Sequence, residues 1–387
     1  MPKPASRVER IPPYLFARID KKKSDARSRG IDLVDFGIGD PDIPTPAHIV
    51  KAMQEAVART ENHRYPSYEG MPAFRQAAAE WFYGRFGVRL DPDREVIALI
   101  GSKEGIAHLP WAYLEEGDVV LIPSPGYPVY KTTTLMAGAT PWLMPLREEH
   151  GFEPAFERIP EEMKRKAKLC FLNYPNNPTG AHGSDSLYEQ AIELARTHDI
   201  LICHDAAYSE ITYDGYRAKS ILQFDREKRY SVEFLSLSKT YCMTGWRIGF
   251  AVGNSEALQH LGTLKTNIDS GVFQAIQEAG IAALTGSQTC VAALCERFAA
   301  RRDMVLDGLA SIGIKAPKPL GSLYIWACVP GGYGSTEFAE MLIEKAGVVV
   351  TPGNGFGEEG EGYFRMSITL GEERIREGID RLKGLRL

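Results

Sequence analysis

Apolar and polar positions keep one rhythm through the middle of the chain and change it toward either end. From about Met71 to Thr285, short apolar runs bounded by turn residues alternate with longer stretches of helical spacing. Such runs predict buried strands, and the stretches between them predict helices. The candidate strands are 96–100, 119–123, 169–173, 201–203, 234–237 and 249–252. Strand alternating with helix implies a mainly parallel sheet covered on both faces, an α/β fold. Ahead of it, Pro12-Pro13-Tyr14 opens a helical stretch to about Ser28, with Leu15, Phe16 and Ile19 on one face. Residues 32–44 read as a short strand and a loop rich in glycine and proline, so residues 1–39 form an arm rather than a domain. A helix follows from Ala47, then a turn-rich loop over residues 65–70, and residues 40–285 make one large unit. After Gly286 a long helix to about Ser311 precedes short strands near 323–329, 348–350 and 363–368, with a helix near 336–346 and another at the C-terminus. Residues 286–387 are therefore expected as a smaller α+β unit.

At 387 residues, 44% hydrophobic and 25% charged, the chain has the composition of an ordinary globular protein and ample length for a core. A net charge of −5 gives no electrostatic case for nucleic acid or an anionic membrane. The basic runs Lys21-Lys22-Lys23 and Lys164-Arg165-Lys166 read as solvated helix faces. Six cysteines form no Cys-x-x-Cys pair and no zinc spacing with histidine, so no metal is expected, and reduced thiols suggest a cytoplasmic protein. Cys203-His204-Asp205 does not make a triad, because neighbours in a strand point to opposite faces. No apolar segment opens the chain and no long apolar run interrupts it, so neither a signal peptide nor a membrane span is expected.

In parallel sheets ligands gather outside the carboxyl ends of the strands, and the polar residues of interest fall there. The densest stretch is Phe-Leu-Ser-Leu-Ser-Lys-Thr-Tyr-Cys-Met-Thr-Gly-Trp-Arg-Ile-Gly-Phe over residues 234–250. A lysine partly shielded from water loses proton affinity and becomes an amine fit for Schiff-base chemistry. Ser236, Ser238 and Arg247 around Lys239 are what a phosphate needs. Lysine plus phosphate site suggests pyridoxal phosphate. Gly101-Ser102-Lys103 after the first strand is either a plain strand–helix turn or an anion site at a helix N-terminus. Tyr127, between glycine and proline, either packs on its own turn or lies over an aromatic ring. Asp205 at a strand end either caps a following helix or partners a pyridinium nitrogen. Arg365, inside an apolar strand, is costly unless paired, either with a structural carboxylate or with that of a ligand.

The ordered set resembles the class I/II aminotransferases across essentially the whole chain: the glycine loop at 101, Tyr127, Asn176-Asn-Pro-Thr-Gly180, Asp205-x-x-Tyr208, Ser236-x-Ser-Lys239, Arg247 and Arg365. The resemblance implies a fold-type I, pyridoxal-phosphate-dependent transferase. On it, Lys239 carries the cofactor, Asp205 holds the proton on the ring nitrogen, and Tyr208 and Asn177 bond the ring's phenolate oxygen. Ser102, Lys103 through its backbone N–H, Ser236, Ser238 and Arg247 hold the phosphate, and Tyr127 covers the ring. Within the family the chain is most similar to members that take LL-diaminopimelate as amino donor, with 2-oxoglutarate as acceptor. The pointers are Pro13-Tyr-Leu-Phe-Ala-Arg-Ile-Asp, Gly37-Ile-Gly-Asp-Pro, Pro125-Gly-Tyr-Pro-Val-Tyr and Asn267-Ile-Asp-Ser-Gly. This likeness implies substrate contacts from Tyr14, Gly39, Lys103, Tyr127, Asn177, Asn267 and Arg365. It also implies a homodimer in which Tyr65, reaching the cofactor, and Asn267 come from the partner subunit, and cis bonds at Ser124–Pro125 and Asn177–Pro178. One departure stands out: Tyr68 occupies the place of a glutamate in plant-type members, with Glu69 one position over. An alanine- or aspartate-type specificity, a lyase on the same cofactor, and a non-catalytic binding protein are the competing readings.

Overall fold

The computed structural model describes residues 1–11 and 17–385. Among these the strands are β1 (Val34–Asp35), β2 (Val96–Leu99), β3 (Val119–Ser124), β4 (Thr140–Pro145), β5 (Ala167–Asn173), β6 (Leu201–Asp205), β7 (Ser231–Ser236), β8 (Gly249–Gly253), β9 (Tyr324–Cys328), β10 (Val348–Val349), β11 (Thr351–Pro352) and β12 (Tyr363–Ser367). Seven of them build one sheet in the order β2-β8-β7-β6-β5-β3-β4. All its pairings are parallel except those of β8, which runs antiparallel to both β2 and β7. The ends of β2, β3, β5, β6 and β7 and the start of β8 therefore meet along one edge.

Alternate strand residues feed two cores, as a sheet buried on both faces requires. Ala98, Leu121, Cys170, Ile202, Leu235 and Phe250 face one core, which the helices Pro72–Phe86, Asp185–His198 and Gln274–Thr285 cover. Ile97, Val120, Phe171, Cys203, Phe234 and Ala251 face the other, under the helices Ser102–Tyr113, Pro128–Met136 and Ser255–Ile268. A separate core joins the helix Thr289–Ser311, the antiparallel sheet β11-β12-β9 and the helix Glu372–Lys383. Ile19, Ala26, Val34 and Phe36 lie in this same core, and β1 pairs in parallel with β10, Val34 opposite Val348. The stretch read as an arm thus contributes a helix, Ala17–Ser28, and a strand to the C-terminal unit.

The expected strands all occur, with shifted ends. β7 stops at Ser236, whose hydroxyl accepts the Ser238 N–H at 3.2 Å and starts a helical turn, Leu237–Thr240, so Lys239 stands on that turn and not at a strand end. β6 runs on to Asp205 itself, which takes up its position by pairing with Phe234. β4 was not expected: its two prolines mask a strand, and as the sheet's edge it tolerates them. Ser124–Pro125 and Asn177–Pro178 are cis, as is Tyr174–Pro175. No described helix is long and apolar enough to cross a membrane, and all six cysteines are free thiols.

Candidate active site

The shared edge of the sheet gathers the expected groups around Lys239. Its Nζ donates to the Gly39 carbonyl at 2.6 Å, bringing the loop after β1 over the strand ends. Gly39 is obligatory there, because a Cβ would collide with the Tyr324 hydroxyl.

Asp205 is 5% exposed and receives the Tyr130 hydroxyl at 2.8 Å and the Ala207 N–H at 3.3 Å. Burial pushes its carboxyl above the usual range, while those two donors pull it back toward the ionised form. It caps no helix, since a turn follows it. Asn173, opposite Asp205 in the β5–β6 register, donates to its carbonyl at 2.7 Å and accepts the Asn177 N–H at 2.7 Å. Tyr208 is buried with its hydroxyl 3.0 Å from that of Tyr324. Burial holds the Tyr208 phenol well above its ordinary pKa.

A second cluster surrounds the start of the helix Ser102–Tyr113. Gly101 has φ +73°, and a Cβ there would run into the Arg247 guanidinium. A Cβ at Gly249 would lie 2.9 Å from the Ser102 nitrogen, so this glycine lets β8 approach the helix end. Arg247 donates to the Thr244 carbonyl at 2.8 Å and reaches the Ser238 hydroxyl at 3.5 Å. Backbone N–H groups, Ser102, Ser236, Ser238 and a guanidinium thus converge, a donor set suited to a phosphate. Tyr127 is half-buried beside it, in edge contact with Tyr130 at 5.7 Å, and the exposed Lys103 ammonium lies 6.0 Å from the Tyr127 ring.

Arg365 forms the third cluster. It is 4% exposed, 4.1 Å above the Tyr324 ring and 4.8 Å from that of Phe356. Its fork donates to Asn177 Oδ1 at 2.8 Å and to the Gly37 carbonyl at 2.9 Å.

Tyr65 and Asn267 are not drawn into this constellation. Tyr65 is 87% exposed, and Asn267 is exposed and bonds back to the Thr263 carbonyl at 2.8 Å. Tyr14 lies outside the described residues. Sequence reading missed Tyr130, Asn173 and Tyr324. Tyr130 falls one helical turn after Tyr127, and Tyr324 alternates with Trp326 in an apolar strand, but neither spacing says what the hydroxyl meets. Glu104, His108 and Asp269 have the closeness of a metal-binding group, yet their cation is the buried Lys265, 3.0 Å from Glu104 and 2.9 Å from Asp269.

The profile of the family "Aminotransferase class I and II" matches residues 31–382. The LL-diaminopimelate aminotransferase of Moorella thermoacetica is 53% identical over 98% of this chain and 97% of its own length. The LL-diaminopimelate aminotransferase 2 of Trichormus variabilis is 51% identical over 98% of this chain and 97% of its length. Among solved structures, apo-BacF from Bacillus subtilis superposes with a TM-score of 0.96 at 37% identity, over 100% of this chain and 99% of that one. An aspartate aminotransferase of Thermus thermophilus gives 0.93 at 30% identity, over 99% of both. The chain therefore belongs to the class I and II aminotransferases, enzymes that depend on pyridoxal phosphate and act on amino-acid and oxo-acid substrates. The α/β fold with its mixed seven-stranded sheet is the fold of that family.

Proposed function

We infer that this aminotransferase moves the amino group of LL-diaminopimelate to 2-oxoglutarate, using pyridoxal phosphate bound at Lys239. The substrate reading is carried by the 53% identity, along nearly the full length of both chains, to a relative of that name. The cofactor reading is supported by the fit of the residues: a glycine-lined cradle that a single Cβ would fill, and a buried carboxylate across from a half-buried lysine.

Bound there, pyridoxal phosphate supplies an aldehyde for the amino group and a ring that draws electrons away from the α-carbon. The chain does the rest. Ser102, Ser236, Ser238, Arg247 and the Lys103 N–H would hold the phosphate. Asp205, whose carboxyl accepts the Tyr130 hydroxyl, would hold a proton on the ring nitrogen. Tyr208 and Asn177 would bond the phenolate oxygen, and Tyr127 would cover the ring. Arg365 grips the α-carboxylate, its fork oriented by Asn177 and Gly37. Lys239 Nζ removes the proton at the donor's α-carbon as general base and later returns a proton as general acid.

The far end of LL-diaminopimelate carries a second ammonium and carboxylate. Tyr14, Lys103, Tyr127 and Asn267 offer hydroxyl, ammonium and amide groups to it, and the exposed Glu69 offers a negative partner. Tyr65 and Asn267 serve the neighbouring subunit of a homodimer in this account. In support, the segment after Asn267's helix packs on the loop of Tyr65, a Cβ at Gly271 falling 2.8 Å from the Ser67 carbonyl, and Tyr65, Tyr68 and Ile268 have exposed side chains.

The test is kcat/KM measured in parallel for LL-diaminopimelate, meso-diaminopimelate, lysine, aspartate, alanine and methionine. Alanine leaves the distal groups unpaired, a mismatch able to discriminate by orders of magnitude. LL-diaminopimelate should lead the panel. If alanine or aspartate equals or exceeds it, the substrate assignment is wrong and the aminotransferase assignment stands.

A further inference from the structure

Three consecutive carbonyls of the loop after β1 serve the site. Gly37 accepts from Arg365 at 2.9 Å, Ile38 from Ser367 and Thr369 at 2.6 and 2.7 Å, and Gly39 from Lys239 at 2.6 Å. The backbone here does what a rigid side chain would do, so whatever fixes this loop fixes the Arg365 guanidinium. One end is fixed by pairing, since β1 lies on β10. Beyond Gly39 the loop has no strand or helix until Ala47. Thr45 donates to the Cys242 carbonyl at 2.7 Å, three residues past Lys239.

Between these points stands one charged clamp. Arg301, on the helix Thr289–Ser311, is fully buried and sends both ends of its fork to Asp42, at 2.6 and 3.0 Å. Its Nε donates to Glu372 at 3.0 Å, at the start of the helix Glu372–Lys383. A buried guanidinium persists only with its partners in place, because breaking such a pair leaves an uncompensated charge. Its five N–H groups are set in a plane, so Asp42 is held in direction as well as distance. Glu372, held by Arg297 and Arg301 well below the usual carboxylate range, keeps the charges of the clamp fixed.

We propose that Arg301 and Asp42 are positioning residues for transamination, locking the Gly37–Asp42 loop so that the Gly37 carbonyl aims Arg365 at the amino-acid substrate. The proposal rests on the reading of Arg365 as the carboxylate binder. The phosphate cradle is built from other elements, so its affinity for cofactor should not depend on the clamp. A small misplacement of binding groups can lower a rate by up to about a hundredfold without contact with the chemistry.

The experiment uses cofactor-loaded wild type, Asp42→Asn, Asp42→Ala, Arg301→Lys and Arg365→Lys. For each, KM and kcat for the amino donor, the dissociation constant of pyridoxal phosphate by fluorescence, and Tm are measured. Glu372 and the Ile368 carbonyl still receive Arg301 when Asp42 is replaced, so the Asp42 variants should fold even if Arg301→Lys does not. Asp42→Ala should raise the donor's KM roughly tenfold or more, with kcat falling less, the cofactor's dissociation constant unchanged, and Asp42→Asn in between. An Asp42→Ala enzyme with a lower Tm but an unaltered KM overturns the proposal. So does a loss of cofactor affinity in step with Tm, which would make the clamp simply structural. If Arg365→Lys leaves the donor's KM unchanged, the underlying reading of Arg365 has failed instead.

Discussion

Gly101 shows how much of this site depends on what a residue lacks. With φ +73° and the Arg247 guanidinium where a Cβ would go, the position excludes a side chain on two independent grounds. With ψ 150° beside that φ, the backbone is in a region essentially reserved for glycine, at a cost of about 1–3 kcal/mol to another residue, which a domain of this size survives. Displacement of Arg247 is the more specific harm. Gly101→Ala should stay folded and lose at least tenfold in affinity for pyridoxal phosphate, one charged hydrogen bond being worth about 1.5–3 kcal/mol. Fluorescence titration of the apo-protein checks this, and unaltered affinity would separate Arg247 from the phosphate. Residues of this kind were legible in sequence because each sits beside the end of an apolar run: Asp205 closes a buried strand, Lys239 follows one and Arg247 precedes one. Tyr130, Asn173 and Tyr324 were not legible, since their partners are set by register and by docking of distant segments. Asn173 matters because β5 lies beside β6 with that residue opposite Asp205. No local pattern encodes that.

At the scale of elements, the central strands were readable because full burial on both faces demands continuous apolar runs. The edge strand β4 escaped because its prolines and part-exposed pattern imitate a loop. The pairing of β1 with β10 escaped because the two short strands, though each expected, lie near opposite ends of the chain and nothing local names their partners. The helix Glu372–Lys383 is joined to the helix Thr289–Ser311 by ion pairs from Arg297 and Arg301 to Glu372, at 2.7 and 3.0 Å. These bonds hold the Glu372 carboxyl far below its ordinary value. A folded pKa below the unfolded one, about 4.3 for glutamate, stabilises the fold above that pH and ceases to do so as pH falls. Glu372→Gln should therefore lower Tm near neutrality, with the gap to wild type closing as pH drops below about 4. A gap independent of pH would show that the charge of Glu372 is not what matters.

For the molecule as a whole, the two-unit arrangement explains why the site's parts are so far apart in sequence. The sheet edge supplies Asp205, Tyr208 and Lys239, while the C-terminal unit supplies Tyr324 and Arg365, and the loop after β1 closes the gap between them. On the proposed homodimer, the exposed Tyr65 and Asn267 complete a neighbouring copy's site. A Lys239→Ala chain and a Tyr65→Phe chain, each impaired alone, should then regain partial activity when mixed and allowed to exchange subunits. Proven exchange without recovery would refute shared sites.

The central claim is that Lys239 carries the cofactor. Protein loaded with pyridoxal phosphate, reduced with borohydride, digested and analysed by mass spectrometry should yield one modified peptide, the one containing Lys239. Modification of Lys103 or Lys265 in its place, or of no lysine, would contradict the account.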